Sequence, residues 1–445
     1  MTSSISVPVM INAFDAKDAG KLDARTRGLV ERRQRVLGQP YRMFYEEPVH
    51  FVRANGVHLY DADGNAYLDA YNNVPCVGHC HPRVVEAIAE QAARLSTHTR
   101  YLDESILAYA ERLLPYFPSE TNRLMLTCTG SEANDLALRV ARTHTEGTGF
   151  IVTSNAYHGI SHAVAALSPS LGKHVPVGSD VRLVAPPDPA LAGSPEAVGA
   201  FFERQVRTAI ADMRRHGIKP AALLVDTIFS SDGVFAEPAG FLSGAVAAIR
   251  EAGGLFIADE VQAGFARMGS HMWGFQRHGV VPDLVTMGKP MGNGYPIAGV
   301  VAREAVLERF AREARYFNTF GGNPVACAAA LAVLDVLRDD CLMENALATG
   351  RHIKAGFAAL ADRHRSIGGI RDQGLFFGLD IVDDDGNPDP ESAGALVNGM
   401  RQRRVLISAS GPLGNVLKIR PPLPFSLENA DELLSACDAV LGEIA

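Results

Sequence analysis

The chain has 445 residues and a formal net charge of -8, with 42 basic and 50 acidic residues scattered along it. This distribution leaves no basic face that could neutralise nucleic-acid phosphates, so we expect no nucleic-acid partner. No apolar stretch is long enough to span a membrane, and the residues from Met1 to Ile5 do not begin a secretory signal. We therefore expect a cytoplasmic protein with no membrane partner, and its six cysteines fit a reducing compartment.

Residues 1–75 are predicted to form an N-terminal arm and part of a small domain. Within them, residues 15–37 are charged and predict a surface helix. Residues 49–69 alternate apolar and polar side chains around Asp61-Ala62-Asp63-Gly64-Asn65, a pattern typical of a turn between two short antiparallel strands.

A cluster of cysteine and histidine follows, Cys76-Val77-Gly78-His79-Cys80-His81. These four side chains are of types that bind zinc, but no second pair lies downstream at the spacing of a zinc finger. We predict no metal site here, and a loop that leads into a helix beginning near Pro82.

From about residue 80 to residue 300, short apolar runs alternate with helical periods. The predicted strands are Arg123–Cys128, Gly149–Thr153, Ala221–Asp226, Leu255–Asp259 and Leu284–Met287, and helices are predicted near 132–145, 198–216, 240–253 and 323–338. This alternation is typical of a mostly parallel sheet with helices on both faces. We therefore predict an α/β fold, with a large domain at 76–330 and a small α+β domain at 331–445.

Four polar or flexible residues follow the predicted strands directly. Since parallel sheets bind ligands beyond the carboxyl ends of their strands, we expect these residues to share one functional edge. They are Gly130, Asp226, Asp259 and Lys289.

Asp259 and Lys289 together suit a pyridine-aldehyde cofactor. The acid can protonate a ring nitrogen, and the amine can form a Schiff base with the aldehyde carbon. The alternative for Lys289, a nucleotide-binding phosphate loop, is excluded because no Ser or Thr follows the lysine. The pair therefore favours a pyridoxal-phosphate enzyme.

Further residues of the predicted edge suit the same cofactor. Gly130 allows a close approach to the backbone, and Ser131 can cap the following helix and donate to a phosphate, unless it is an ordinary helix cap. The Tyr157 ring can stack on a flat heterocycle, while His158 could handle protons or only bind backbone. Gln262 can donate to the ring oxygen of the cofactor.

A second glycine-rich turn, Tyr316-Phe317-Asn318-Thr319-Phe320-Gly321-Gly322-Asn323-Pro324, opens another helix. It is either a further phosphate contact or only a loop.

In this order, the motifs resemble those of the class III pyridoxal-phosphate aminotransferases. They are Gly130-Ser131-Glu132-Ala133-Asn134, Tyr157-His158-Gly159, Asp259-Glu260-Val261-Gln262, Lys289, and the segment from Asn318 to Pro324. The resemblance runs from about residue 40 onward and implies a fold type I homodimer whose small domain is formed by both termini.

The same resemblance implies individual roles in binding the cofactor. Lys289 forms the Schiff base, Asp259 pairs with the pyridine nitrogen, and Gly130 and Ser131 hold the phosphate. Tyr157 stacks on the ring, and Thr319 reaches the phosphate bound by the neighbouring subunit. Asp226 is assigned to the cofactor site as well.

Finer similarity points to the phospho-lyases that act on ethanolamine phosphate and phosphohydroxylysine. The segments that carry it are Met287–Gly294 and Leu406–Ile419. Where many ω-transaminases have a mobile arginine, this chain has Ser408, and Asp226-Thr227 replaces the usual Glu-Pro. Lys418 or Arg420 could then supply the cation for an anionic substrate.

We predict deamination of a small primary amine, with elimination of phosphate as the favoured reaction. The alternative is a transaminase that uses pyruvate or glyoxylate as amino acceptor. Both begin by removal of a proton from the carbon next to the amine.

Overall fold

The computed structural model describes residues 10–444, so the first nine residues of the predicted arm lie outside the described part. A helix, α1 (Ala24–Val36), precedes three antiparallel strands, β1 (Phe51–Asn55), β2 (His58–Asp61) and β3 (Ala66–Asp69). Asp61 accepts hydrogen bonds from the backbone N–H groups of Asp63 and Asn65 at 3.0 and 2.8 Å, which closes the predicted turn. The surface helix and the antiparallel strands are thus confirmed.

A seven-stranded sheet forms the centre of the molecule, in the order β4-β10-β9-β8-β7-β5-β6. Its strands are β4 (Thr121–Thr127), β5 (Gly149–Thr153), β6 (Val181–Val184), β7 (Pro220–Asp226), β8 (Leu255–Asp259), β9 (Leu284–Met287) and β10 (Ala298–Arg303). All neighbouring pairs are parallel except those of β10, which is antiparallel to β4 and β9. The predicted mostly parallel sheet is confirmed, and β6 and β10 are additions to it.

Nine helices accompany this part of the described chain. They are α2 (Pro82–Arg94), α3 (Glu104–Leu113), α4 (Gly130–Thr145), α5 (His162–Ala165), α6 (Pro189–Ala192), α7 (Val198–Arg215), α8 (Leu242–Glu251), α9 (Glu304–Glu313) and α10 (Pro324–Asp339). Helices α7 and α8 pack against each other, and α10 packs against α2 and α3. No helix between residues 10 and 444 is long and apolar enough to cross a membrane.

The C-terminal part forms a second layer with the N-terminal strands. Its elements are α11 (Leu342–Ala361), β11 (Ile367–Asp372), β12 (Phe377–Ile381), α12 (Pro390–Gln402), β13 (Val405–Leu406), β14 (Ser408–Ser410), β15 (Val416–Ile419) and α13 (Leu427–Ile444). Strand β13 pairs in parallel with β3, and the others form a sheet in the order β11-β12-β15-β14. Both ends of the chain therefore build this layer, as the fold type I resemblance implies.

The predicted domain limits remain a prediction. Helix α10 continues through residue 330, where the division between the large and the small domain was placed.

Two neighbouring strands bring the predicted acids to one edge. Asp226 ends β7 and Asp259 ends β8, and the two residues are paired in register. Lys289 lies two residues beyond β9, and Gly130 begins α4 three residues after β4. The chain thus places these four residues at the carboxyl edge of the sheet.

Close packing of α11 on the turn before β12 gives a test of the fold. A Cβ atom at Gly350 would lie 2.7 Å from the carbonyl carbon of Gly374, whereas one at Gly442 in α13 would meet nothing within 4 Å. Gly350→Ala should therefore destabilise the protein by about 1–3 kcal/mol, because backbone must move to admit the methyl group. Gly442→Ala should stabilise it by about 0.5–1 kcal/mol, since alanine favours helix. Thermal unfolding of both variants measures the difference, and equal midpoints would contradict this packing.

Candidate active site

A small cavity of about 90 Å³ opens at the carboxyl edge of the sheet. The lining residues are Gly130, Ser131, Tyr157, His158, Gly159, Asp226, Asp259, Val261, Gln262 and Lys289. The structure therefore brings together every predicted cofactor residue except Thr319.

Asp259 is a buried carboxylate with donors on both oxygens. One oxygen accepts from the backbone N–H of Val261 at 3.1 Å. The other accepts from Asn134 Nδ2 at 2.9 Å and contacts His158 Nδ1 at 2.7 Å. Because a buried carboxylate is costly without such partners, this arrangement favours a fixed negative charge at the end of β8.

Asn134 is a functional residue that the sequence analysis quoted without assigning it a role. Its amide nitrogen also donates to the backbone oxygen of His158 at 2.7 Å, and its amide oxygen accepts from Thr286 at 2.8 Å. Asn134 thereby joins α4, β9 and the loop after β5 to the carboxylate of Asp259. A polar residue among the buried alanines and leucines of α4 was the signal that could have identified it.

The position of His158 argues against one of its two predicted roles, a ring contact with backbone, and leaves proton handling as a prediction. Its ring does not bind backbone through Nδ1 but contacts the Asp259 carboxylate, and its buried Nε2 has no hydrogen-bond partner among the described residues. Since an ionised carboxylate only accepts, Nδ1 carries the proton in this contact. His158 therefore orients Asp259.

The start of α4 corrects a second expectation, that Ser131 caps the helix. The cap is Thr129, whose hydroxyl accepts from the backbone N–H of Glu132 at 3.2 Å, because the first helical residue is Gly130. Ser131 instead accepts from the backbone N–H of Ile160 at 3.1 Å. Its hydroxyl faces the cavity beside the first N–H groups of α4, which lack helical partners and favour an anion.

Two glycines keep this part of the cavity open. A Cβ atom at Gly130 would lie 3.1 Å from Val261 Cγ2, and one at Gly159 would lie 2.5 Å from Ser131 Oγ. Gly159 also has a φ of +143°, a conformation that other residues rarely adopt. The backbone therefore forms a narrow cradle at the start of α4, as a phosphate group requires.

Lys289 lies at the cavity wall opposite the acids. Burial, and then the positive charge of Arg420, lowers the pKa of Lys289 from 10.5 to about 8. Its ammonium nitrogen is 5.9 Å from the centroid of the Tyr157 ring. The fraction of Lys289 that is neutral amine near neutral pH is therefore much larger than for an ordinary lysine, which suits a nucleophile.

Asp226 lies beside Asp259 and is held by the loop that follows β7. Its oxygens accept from the backbone N–H groups of Ile228 and Ser230, both at 3.1 Å, and from the Ser230 hydroxyl. Burial, and then the charge of Asp259, raises the pKa of Asp226. The two acids therefore lie side by side in the wall of the cavity that Lys289 also lines.

Gln262 is buried, and its amide is engaged with protein groups. Its nitrogen donates to the Ser230 hydroxyl at 2.6 Å, and its oxygen accepts from Arg420. One N–H of the amide remains for the cavity, so the predicted bond to a cofactor oxygen stays a prediction.

The two candidate cations for a substrate anion do not line the cavity. Lys418 is buried and donates to the backbone oxygen of Ser230 at 3.2 Å. Burial, and then the charge of Arg420, places the pKa of Lys418 well below its usual range. Arg420 lies behind Gln262 and donates to the backbone oxygen of Tyr71 at 3.0 Å.

Thr319 is exposed and lies outside this cavity. The loop that bears it is held next to the start of α4, because Asn318 accepts from Gly321 N–H at 2.9 Å and donates to Glu132 at 3.3 Å.

The cysteine and histidine loop before α2 has other contacts. Cys76 Sγ donates to the backbone oxygen of Pro290 at 3.1 Å, and His79 Nε2 contacts Asp69 at 2.6 Å. Within residues 10–444, no group of three potential metal ligands is assembled.

The donor set fits pyridoxal phosphate. The glycine cradle and Ser131 suit its phosphate, the Asp259 carboxylate suits a protonated ring nitrogen, and Lys289 suits its aldehyde. The buried His158 Nε2 without a partner lies in the same wall. Each end of the cofactor thus has a chemically matched group.

Comparison with known proteins gives a consistent result. The family model for "Aminotransferase class-III" matches residues 42–441. An alanine–glyoxylate aminotransferase 2-like protein of Drosophila melanogaster is 40% identical over 83% of this chain and 77% of its own. An ethanolamine-phosphate phospho-lyase homologue of Caenorhabditis elegans is 37% identical over 85% of each chain. The structure of an Arthrobacter phospholyase in complex with phosphoethanolamine is 44% identical with a TM-score of 0.90, covering 94% of this chain and all of that one.

The lowered pKa of Lys289 can be measured without any cofactor. Because only the neutral amine attacks an aldehyde, reductive alkylation of Lys289 by a small aldehyde should reach half its maximal rate near pH 8 in the folded protein. In the denatured chain the same lysine should react with a midpoint near the ordinary value of 10.5. Mass spectrometry of the peptide containing Lys289 follows the rate, and identical profiles for folded and denatured protein would contradict the described environment.

Proposed function

Because the chain belongs to the class III aminotransferases, which are pyridoxal-phosphate enzymes, we propose that it is a phospho-lyase. The substrate would be a small primary amine with a phosphate on the adjacent carbon, of which O-phosphoethanolamine is the simplest. The observation that carries the proposal is the likeness, along nearly the whole chain, to the Arthrobacter phospholyase whose structure contains phosphoethanolamine. The likeness to the ethanolamine-phosphate phospho-lyase homologue supports it.

We assign the cofactor residues from their positions in the cavity. Lys289 binds the aldehyde carbon, and Asp259 faces the ring nitrogen with its charge held by Asn134 and His158. Gly130 and Ser131 receive the phosphate, as described above. Among the other wall residues, Tyr157 supplies the stacking ring, and Asp226, His158 and Gln262 complete the pocket.

The reaction requires the chain to move one proton and to release one anion. When bound, the cofactor supplies a protonated ring that stores the electron pair of a deprotonated carbon. With the substrate amine at the cofactor, Lys289 would be the group that takes the proton from the carbon next to the substrate nitrogen. The phosphate then leaves the adjacent carbon, and water completes the conversion to an aldehyde, ammonia and inorganic phosphate.

Lys418 and Arg420 are the proposed cations for the substrate phosphate. Both lie directly behind the cavity wall, where Arg420 is a positive charge and a bound di-anion would favour the charged form of Lys418 as well. Ser408 is buried and pairs in register with Lys418, so this position offers no mobile cation for a carboxylate. Many ω-transaminases have a mobile arginine at this point, and its absence here favours a substrate whose anion is a phosphate.

We further propose a homodimer in which Thr319 completes the partner's site. A groove lies between residues 99–110 and the loop of Thr319. Apolar side chains around it are exposed to solvent, with Leu102 100% and Phe320 69% exposed. Several exposed apolar side chains close together are typical of a protein interface. A second copy of the chain is the proposed occupant of the groove. We also propose that the protein is cytoplasmic.

A transaminase is the second candidate. The Drosophila relative with the higher sequence identity carries an aminotransferase name, and transamination begins with the same proton transfer. The two reactions differ in whether an oxo-acid acceptor is needed.

Release of inorganic phosphate tests the preferred function. The purified enzyme should liberate phosphate and aldehyde from O-phosphoethanolamine in the absence of any oxo acid. Lys289→Ala should lose this activity by at least a thousandfold, since no other amine lines the described cavity. Transfer of the amine to pyruvate or glyoxylate, with no phosphate released, would establish the transaminase instead.

Mixed dimers test the placement of Thr319. Thr319→Ala should weaken cofactor binding about tenfold, because a hydrogen bond to a charged group is lost. A dimer of one Lys289→Ala chain and one Thr319→Ala chain should have one intact site if Thr319 acts across the interface. It should then show about half of the wild-type activity at a cofactor concentration that fills most wild-type sites but few sites of the Thr319→Ala homodimer. Differently tagged chains allow the mixed dimer to be purified. A mixed dimer no more active than the Thr319→Ala homodimer would place Thr319 in its own subunit's site, or in neither.

A further inference from the structure

We propose that Ser230 is a positioning residue of the active site, which fixes the Gln262 amide and holds the Asp226 carboxylate beside Asp259. This inference rests on the proposed function only in taking the cavity as the cofactor site. It does not depend on whether phosphate or an amino group is transferred.

Ser230 is buried and contacts three residues of the site. Its backbone N–H and its hydroxyl both donate to Asp226 Oδ2, the former at 3.1 Å. Its hydroxyl oxygen accepts from Gln262 Nε2 at 2.6 Å. Its backbone oxygen accepts from Lys418 Nζ at 3.2 Å. Ser230 lies just behind the cavity wall and connects an acid, an amide and a lysine.

The direction of these hydrogen bonds is determined by chemistry. Arg420 can only donate, so the Gln262 oxygen must face it and the Gln262 nitrogen must face Ser230. That nitrogen also only donates, so the single proton of the Ser230 hydroxyl is left for Asp226. In this series of hydrogen bonds from Arg420 to Asp226, every donor thus points toward the carboxylate. This arrangement stabilises the negative charge of the carboxylate.

Removal of the Ser230 hydroxyl would interrupt this series of hydrogen bonds between Gln262 and Asp226. Asp226 would lose a donor while its burial and the neighbouring charge of Asp259 remain, so its pKa would rise. The Gln262 nitrogen would lose its acceptor, so the amide would be held only through its oxygen, by Arg420. The other charged groups around Asp226 that would respond to the change are Asp232, Glu260, Lys289, Lys418 and Arg420.

The contact with Lys418 would survive, because it is made by the backbone. An alanine at position 230 keeps the carbonyl that accepts from Lys418 Nζ. The hydroxyl therefore acts on Asp226 and Gln262, and the substrate cation is left in place. This separation gives the proposal a signature that general disruption of the site would not produce.

Ser230→Ala is the test, with Ser231→Ala as the matched control. Ser231 is the next residue in the same loop, is half-buried, and its hydroxyl makes no hydrogen bond to a described residue. The affinity of each apo protein for pyridoxal phosphate is measured as a function of pH by the visible absorption of the bound cofactor. The acid side of this profile should move up by about one pH unit in Ser230→Ala, a tenfold change in proton affinity, and should not move in Ser231→Ala.

Two further measurements complete the test. The KM for O-phosphoethanolamine should stay within about twofold in Ser230→Ala, since Lys418 keeps its anchor. A crystal structure of the apo variant should show the Gln262 amide displaced from its wild-type position. An unchanged pH profile, an unmoved amide, or a KM that rises in parallel with the loss of cofactor affinity would each overturn the role of Ser230.

Failure of the proposed function would be visible separately. A wild-type enzyme that releases no phosphate rules out the phospho-lyase, and its KM is then measured with the amine that it does use. The cofactor titration and the position of the Gln262 amide still decide the role of Ser230 in that case.

Discussion

The active site depends on one buried carboxylate, that of Asp259 at the end of β8. A charge buried without partners costs several kcal/mol, and here three donors offset that cost. Two of them, Asn134 and His158, come from α4 and from the loop after β5, so the carboxylate is satisfied only when these elements are docked on β8. The same contacts hold the helix start and the aromatic loop at the cavity. The contacts that dock these elements on β8 are therefore the same contacts that assemble the site.

The charges behind the cavity are balanced across two layers of the molecule. Asp226 and Asp259 belong to the central sheet, whereas Lys418 and Arg420 belong to the segment around β15 in the second layer. Lys289 lies between them, and its lowered pKa reflects burial together with the charge of Arg420. A cation from the other layer thus makes Lys289 a better nucleophile, so the relative position of the two layers affects the chemistry of the amine.

Periodicity in the sequence predicted five of the seven strands of the sheet, because each contains a compact apolar run between helical segments. It did not predict β6 or β10. Strand β6 is a four-residue strand at the sheet edge, and Arg182 interrupts its apolar run, so the sequence gives no clear signal. Strand β10 is rich in Ala and Gly, which have low strand propensity. A larger side chain does not fit at Gly299, because a Cβ atom there would lie 2.8 Å from the backbone oxygen of Met125.

The residues of the cavity wall were predictable because each follows a strand, and the carboxyl ends of parallel strands meet at one edge. Hydrogen-bond partners were less predictable, since they depend on the helix boundary and on side-chain reach. A shift of two residues in the capping position separates Thr129 from Ser131 and leaves the latter free for the cavity. Nothing in the sequence distinguished Ser230 from Ser231, because only the path of the loop decides which hydroxyl reaches Asp226.

The chemistry of the site does not by itself select elimination over transfer. Both reactions need the same proton acceptor, Lys289, and the same fixed negative charge at Asp259. They diverge only if the carbon next to the deprotonated one carries a group that can leave as a stable anion. The selective contribution that we propose for the chain is electrostatic: Ser408 and Lys418 are neighbours on paired strands and both are buried, so the basic groups near the cavity are held in place, which suits a compact di-anion. An arginine that moves in and out would instead accommodate a carboxylate acceptor in alternation with the amine. Substrate choice in this fold then follows from whether the cation is fixed or mobile, while the proton-transfer machinery stays the same.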